Sequence, residues 1–216
     1  MALNDIFKIQ YKCELIRLGQ KNDGGYLICK KSIAKTEYLV SLGISDDFSF
    51  EEEFLNIKKG DIKIKCYDDI LDQFFLIKKI IFSLLRAIYE KKIQVFKLQI
   101  KKFINYRKLK KKIIFEKKKI NRNDLNEILT QIDNNQIHLK IDIEGNEYSL
   151  LDEILKNQKK LNGLIIEFHD CNLNKEKIYN FIKNFEIPIV HIHGNNFAPV
   201  DIEENPTVIE ISFSRF

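Results

Sequence analysis

Apolar positions along this 216-residue chain fall into short runs of two kinds. Alternating or β-branched runs predict strands at Tyr38 to Ile44, Asp61 to Asp69, Ile113 to Lys119, Leu164 to Phe168, Ile189 to Ile192 and Thr207 to Phe213. The stretch Leu139 to Leu151 joins the two kinds. Its first half alternates as a buried strand, Gly145 ends it, and Leu150, Leu151, Ile154 and Leu155 then recur at helical spacing. Helices are also expected at Leu125 to Ile132 and Lys175 to Phe185. Near the start, Asn22-Asp23-Gly24-Gly25 lies between two apolar runs, which predicts a hairpin. Strands and helices alternate with no dividing linker. The pattern therefore predicts one α/β domain with a mainly parallel sheet and helices on both faces.

One segment breaks that rhythm. Ile70 to Lys112 has no Gly or Pro, and Phe74, Ile77, Ile81, Leu84, Leu85 and Ile88 recur at three and four. It is too long for a single connecting helix, so it predicts a helical insertion of two or more helices over the ligand edge. From Lys91 to Lys112 it is strongly basic, although the chain as a whole carries only +5. Such a run reads first as a solvated face, and second as a contact for a phosphorylated substrate or an anionic membrane surface. Cys13, Cys29, Cys66 and Cys171 show no Cys-x-x-Cys spacing, which predicts reduced thiols in a cytosolic protein. Met1 to Gln10 lacks the apolar core of a signal peptide, and no run is long enough to span a membrane. The expected location is therefore cytoplasmic, with the basic segment available to the inner face of the membrane.

Candidate chemistry collects at strand ends, where open α/β sheets bind ligands. Gly43 ends one strand and is followed by Ser45-Asp46-Asp47-Phe48-Ser49, a glycine turn with helix-capping residues. Asp68 closes the next strand and sits where a ribose-binding carboxylate belongs, leaving Asp69 to cap the following helix. Asp142 and Glu144 are two acids in an apolar strand end, a costly place for unpaired charge. Glu167 and His169 end another strand, and His193, Asn195 and Asn196 a further one. Arg17, near the hairpin turn, is placed to meet an anionic group. Dinucleotide, phosphate-loop and serine-hydrolase signatures are absent.

The turn Leu42-Gly43-Ile44-Ser45-Asp46, the acid Asp68 and the block Lys140-Ile141-Asp142-Ile143-Glu144-Gly145-Asn146-Glu147 resemble the FkbM-type S-adenosylmethionine-dependent methyltransferases. Asp23 to Tyr26, Glu167-Phe168-His169 and His191 to Asn196 resemble a branch of that family linked to capsule and other surface-glycan synthesis. The resemblance does not extend to the basic helical segment. It implies a Rossmann-like class I methyltransferase fold, a seven-stranded sheet with an antiparallel last strand. It implies S-adenosylmethionine as methyl donor, held by Gly43, Ser45, Asp46, Ser49, Asp68 and Asp142. The acceptor it implies is a sugar hydroxyl, nucleotide-linked or in a glycan precursor, met by Glu144, Glu167, His193, Asn195, Asn196 and Arg17.

A sugar hydroxyl needs a base for its proton. His169 is the first candidate and His193 the second, with Asp142 orienting base or acceptor. Asp142, Glu167 and His169 also offer a mixed carboxylate and imidazole set for a divalent metal such as Mg²⁺. Two other classes stay open, an RNA-binding methyltransferase using the basic stretch and a non-catalytic cofactor-binding protein.

Overall fold

The computed structural model describes residues 7–21, 24–91, 93–133 and 135–215. Asn22 and Asp23 of the hairpin turn, Lys92 of the basic run and the first six residues lie outside them. Strands β1 (Leu15–Gly19) and β2 (Gly25–Cys29) pair antiparallel as a separate two-stranded ribbon. The main sheet holds β3 (Tyr38–Leu42), β4 (Lys63–Asp68), β5 (Ile114–Lys117), β6 (Ile137–Ile141), β7 (Leu161–Phe168), β8 (Ile189–Gly194) and β9 (Ile209–Ser214).

Their order across the sheet is β5-β4-β3-β6-β7-β9-β8. Strands β3 to β7 pair parallel, and β9 runs antiparallel to both of its neighbours. The expected seven-stranded α/β sheet with its antiparallel last strand is therefore present. Strand order reverses between β3 and β6, the switch point at which such sheets open a crevice.

The helices are α1 (Lys30–Lys35), α2 (Ser49–Ile57), α3 (Gln73–Tyr89), α4 (Ile93–Leu109), α5 (Arg122–Gln131), α6 (Leu151–Asn157) and α7 (Lys175–Asn184). Leu129 of α5, Ile154 of α6 and Phe181 of α7 pack with Val40, Leu139 and Leu164 on one face. Phe50 and Phe54 of α2, with Tyr26 and Ile28 of β2, pack with Leu39, Ile64 and Cys66 on the other. Central strands are thus buried on both sides, His138 and Lys140 of β6 included, with mainly apolar side chains packed against them. Burying each such side chain contributes about 1.5–3 kcal/mol.

Gly43 shows why β3 must end in glycine. Its φ is +75°, and a Cβ there would lie 1.6 Å from the carbonyl oxygen of Asp142. The glycine lets the ends of β3 and β6 close against each other, backbone to backbone.

The insertion is a helical hairpin, α3 against α4, placed between β4 and β5. Its cap differs from expectation: Asp72, not Asp69, accepts the Phe75 N–H at 2.7 Å. Phe74, Ile77, Ile81, Leu84, Leu85 and Ile88 all face solvent, while Leu76 and Ser83 are buried. Among the described residues, no helix is long and apolar enough to cross a membrane.

Candidate active site

A cavity of about 360 Å³ opens outside the ends of β3, β4 and β6. Its wall includes Gly43, Ser45, Asp68, Asp69, Asp142 and Glu144. Ile70, Phe75, Ile120 and Ile143 give it an apolar lining, and Lys118, Lys119 and Asn146 complete the rim. Its size and mixed lining suit a nucleoside-sized ligand.

Asp68 is nearly enclosed at this wall. One carboxylate oxygen accepts Ile44 N–H at 3.0 Å and Ser45 N–H at 2.8 Å. The other accepts Ile70 N–H at 2.9 Å and Leu71 N–H at 2.6 Å. Four amides fill the acceptor capacity of one carboxylate. Asp68 therefore staples the glycine turn to the end of β4, and Ser45 is held there at a φ of +52°. Asp69, next in the chain, is exposed on the cavity rim.

Asp46 and Ser49 are not at the cavity wall. Asp46 binds Lys79 of α3 at 2.7 Å and Lys102 of α4 at 3.2 Å, which ties the helical hairpin to the glycine turn. Burial raises its pKa, but the two lysines outweigh it and leave the carboxyl below its usual range. The Ser49 hydroxyl is buried without a hydrogen-bond partner at the start of α2.

Beside the cavity, the β6 and β7 ends build a second cluster around Asp142 and His169. The Tyr26 hydroxyl donates to Asp142 Oδ2 at 2.9 Å and approaches Glu167 Oε2 at 3.4 Å. Burial, then the charges of Asp142 and Glu167, push the phenol up, so it stays a donor. His169 Nε2 lies 3.5 Å from Glu144 and 3.6 Å from Glu167, and its Nδ1 lies 3.4 Å from Glu147. These are charge contacts, longer than good hydrogen bonds. Burial lowers the imidazole pKa, but Glu147, then Glu167 and Asp142, outweigh it and raise the value to about 9.

Glu147 organises both loops. One oxygen accepts the Gly145 N–H at 2.8 Å and the other the His169 N–H at 2.7 Å. Tyr148 donates its hydroxyl to the His169 carbonyl. Lys140 donates to the Gly43 carbonyl at 2.8 Å, lies 3.9 Å from the buried Glu51 and sits over the Tyr26 ring. The block from Lys140 to Glu147 thus couples the ends of three strands.

Asn195 reaches this cluster through Glu167 Oε1 at 3.4 Å. His193 is exposed on β8 and stacks on His191 at 6.4 Å, and Asn196 is exposed beyond it. Arg17 donates to the Gln20 carbonyl at 2.9 Å on the β1–β2 ribbon. The cluster therefore gathers Asp142, Glu144, Glu167, His169 and Asn195. Sequence reasoning gave no site role to Tyr26, Lys140 or Glu147, and read Asp69 as a helix cap. Their signals were present, since three of them lie inside the quoted motifs.

Asp142, Glu144 and His169 each offer one ligand atom within 4.8 Å of the others. Two carboxylates and an imidazole fit a divalent cation by donor chemistry. Glu144, not Glu167, completes that set.

No family model matches the chain, and no curated protein matches it. Solved structures with a similar arrangement include the fibrillarin pre-rRNA processing protein of Methanococcus jannaschii. It is 13% identical over 96% of this chain and 84% of its own, with a TM-score of 0.45. A precorrin-6y C5,15-methyltransferase from Geobacter metallireducens is 10% identical, covering 86% of each chain, with a TM-score of 0.45. The methyltransferase domain of a bacterial Hen1 protein is 8% identical over 84% of this chain and 92% of its own, with a TM-score of 0.38.

Proposed function

We propose that the protein is an S-adenosylmethionine-dependent methyltransferase acting on a hydroxyl, with a sugar as the acceptor class. The observation that carries the reading is one edge of the sheet. A nucleoside-sized cavity at the β3/β6 switch point adjoins the Tyr26, Asp142, Glu167 and His169 cluster. The sugar class and the FkbM-type assignment rest on the resemblance of the Lys140 to Glu147 block and of the Glu167-Phe168-His169 segment.

When bound, S-adenosylmethionine supplies an electrophilic methyl group on a positively charged sulfonium. Asp69 at the cavity wall would accept from ribose hydroxyls, while Asp68 holds the turn that shapes the cavity. Ile70, Phe75 and Ile143 give an apolar bed for a base. Asp142, fixed by Tyr26, orients the acceptor hydroxyl, and His169 takes its proton. Asn195 and Glu144 border the acceptor side. A second reading has a specific support in the Asp142, Glu144 and His169 donor set: these residues would hold a divalent cation that lowers the hydroxyl pKa.

Calorimetry with S-adenosylmethionine tests the donor, and methyl transfer to a panel of nucleotide-sugars tests the acceptor. Absence of cofactor binding would overturn the whole reading. Methylation of RNA at physiological salt, with no sugar accepted, would overturn the acceptor class alone.

A further inference from the structure

Helix α3 is packed inside out. The side turned toward α4 carries Leu76, Ser83 and Ala87, of which Leu76 and Ser83 are buried. The opposite side carries large apolar groups, with Phe74 72%, Phe82 63%, Ile88 65% and Tyr89 84% exposed. On a helical wheel these and Ile77, Ile81 and Leu85 form one continuous face. Contiguous apolar surface of this kind marks an interaction site.

Charge on the hairpin narrows the partner. Residues 73 to 112 contain thirteen lysines and arginines and one acid, Glu90, a balance of +12 in a chain whose total is +5. The rest of the chain is therefore net acidic, so the positive charge belongs to this hairpin. Lys79 and Lys102 are held by Asp46, and Arg86 by Glu90. Lys78, Lys97, Lys101 and Lys108 are exposed along the same pair of helices. Lys78 stands within the apolar face itself, where a long stem can lie on apolar surface with its head in a polar layer.

We infer that the α3–α4 hairpin docks on an anionic lipid surface, with the α3 apolar face at the boundary between headgroups and acyl chains. Lipid satisfies both features together. Phosphate headgroups match the lysines, and acyl chains cover side chains that water and phosphate do not. A second copy of the chain fits less well, because face-to-face docking would bring two such basic segments together. Nucleic acid answers the charge but leaves the apolar face uncovered. The helix lies on the surface, since it is too short and too charged to cross.

The test is flotation of the full chain with vesicles of phosphatidylcholine alone or mixed with phosphatidylglycerol. Binding is expected to need the anionic lipid and to weaken in high salt. The double variant Phe82→Asp, Ile88→Asp should weaken it by about tenfold or more while cofactor binding and the melting temperature hold. The chain has no tryptophan, so Tyr89→Trp provides a single reporter. Its emission should shift to the blue on anionic vesicles and be quenched by brominated acyl chains. Unchanged emission, or vesicle binding indifferent to the double variant, would overturn the inference. So would sedimentation showing a dimer that the double variant dissolves, with no lipid binding.

Discussion

The Tyr26 hydroxyl lies 2.9 Å from Asp142 Oδ2 and joins the β1–β2 ribbon to the end of the central strand. The two residues are far apart in sequence, so this bond fixes the ribbon as one wall of the site. Tyr26→Phe keeps the ring, which meets Phe50 edge-on at 5.6 Å, and removes only the donor. A hydrogen bond to a charged group is worth about 1.5–3 kcal/mol, so unfolding free energy should fall by that order. Methyl transfer should fall with it, because Asp142 loses its orienting partner. Denaturant titration and turnover measured on the same preparation check both. A Tyr26→Phe protein with unchanged turnover would remove Asp142 orientation from the mechanism.

Asp68 and Asp69 are separated by opposite readouts. Asp68 accepts four backbone amides, so Asp68→Ala should lower the melting temperature and disorder the glycine turn. Asp69 is exposed, so Asp69→Ala should leave stability within about 0.5 kcal/mol of the parent. Loss of the proposed ribose contact should weaken S-adenosylmethionine by about tenfold or more. Calorimetry of both variants decides. If Asp69→Ala binds the cofactor as the parent does, the ribose contact lies on another group.

Lys140 is buried under Gly43 and beside Glu51, whose carboxyl burial pushes up despite Lys140 and the Ser41 hydroxyl at 2.5 Å. Lys140→Met leaves Glu51 without its nearest cation and frees the Gly43 carbonyl. Removing one partner of a buried pair is destabilising by about 3–5 kcal/mol. Adding Glu51→Gln should recover part of that loss, which a double-mutant cycle in denaturant measures. Additive single effects would show that the two groups do not interact across their 3.9 Å.

The sheet was legible because its strands are short, β-branched and punctuated by Gly43, Asp68 and Gly145. Strands buried on both faces announce themselves as short apolar runs bounded by turn residues. Which polar groups fill each other was not legible. Asp68 and Asp69 are adjacent and chemically identical, and only the backbone path shows that the first is saturated. The stripe Phe74 to Ile88 has correct helical spacing, but periodicity gives a face and not its direction. Tyr26 went unassigned because its partners, Asp142 and Glu167, are brought to it only by the fold.

His169 supplies the sharpest pH test. Its surrounding carboxylates lift the imidazole from 6.5 to about 9 in the ligand-free protein. The folded state therefore holds a proton that the unfolded chain releases at lower pH. The resulting stabilisation is complete below about 6.5 and disappears as pH rises through about 9. The melting temperature of the parent should decline across that window more than that of His169→Asn. A base must be neutral, so turnover, measured with chelator present, should climb with pH toward the same value. A cation bound in the adjoining cavity opposes the imidazolium. The His169 titration, followed by NMR, should thus move down with S-adenosylmethionine and less with its neutral thioether product. His169→Asn should lower turnover by about 10²–10⁴ and leave cofactor affinity nearly unchanged. Turnover within about twofold of the parent would remove His169 as the proton acceptor. Loss of activity in chelator with recovery on adding Mg²⁺ would instead place His169 with Asp142 and Glu144 around a metal.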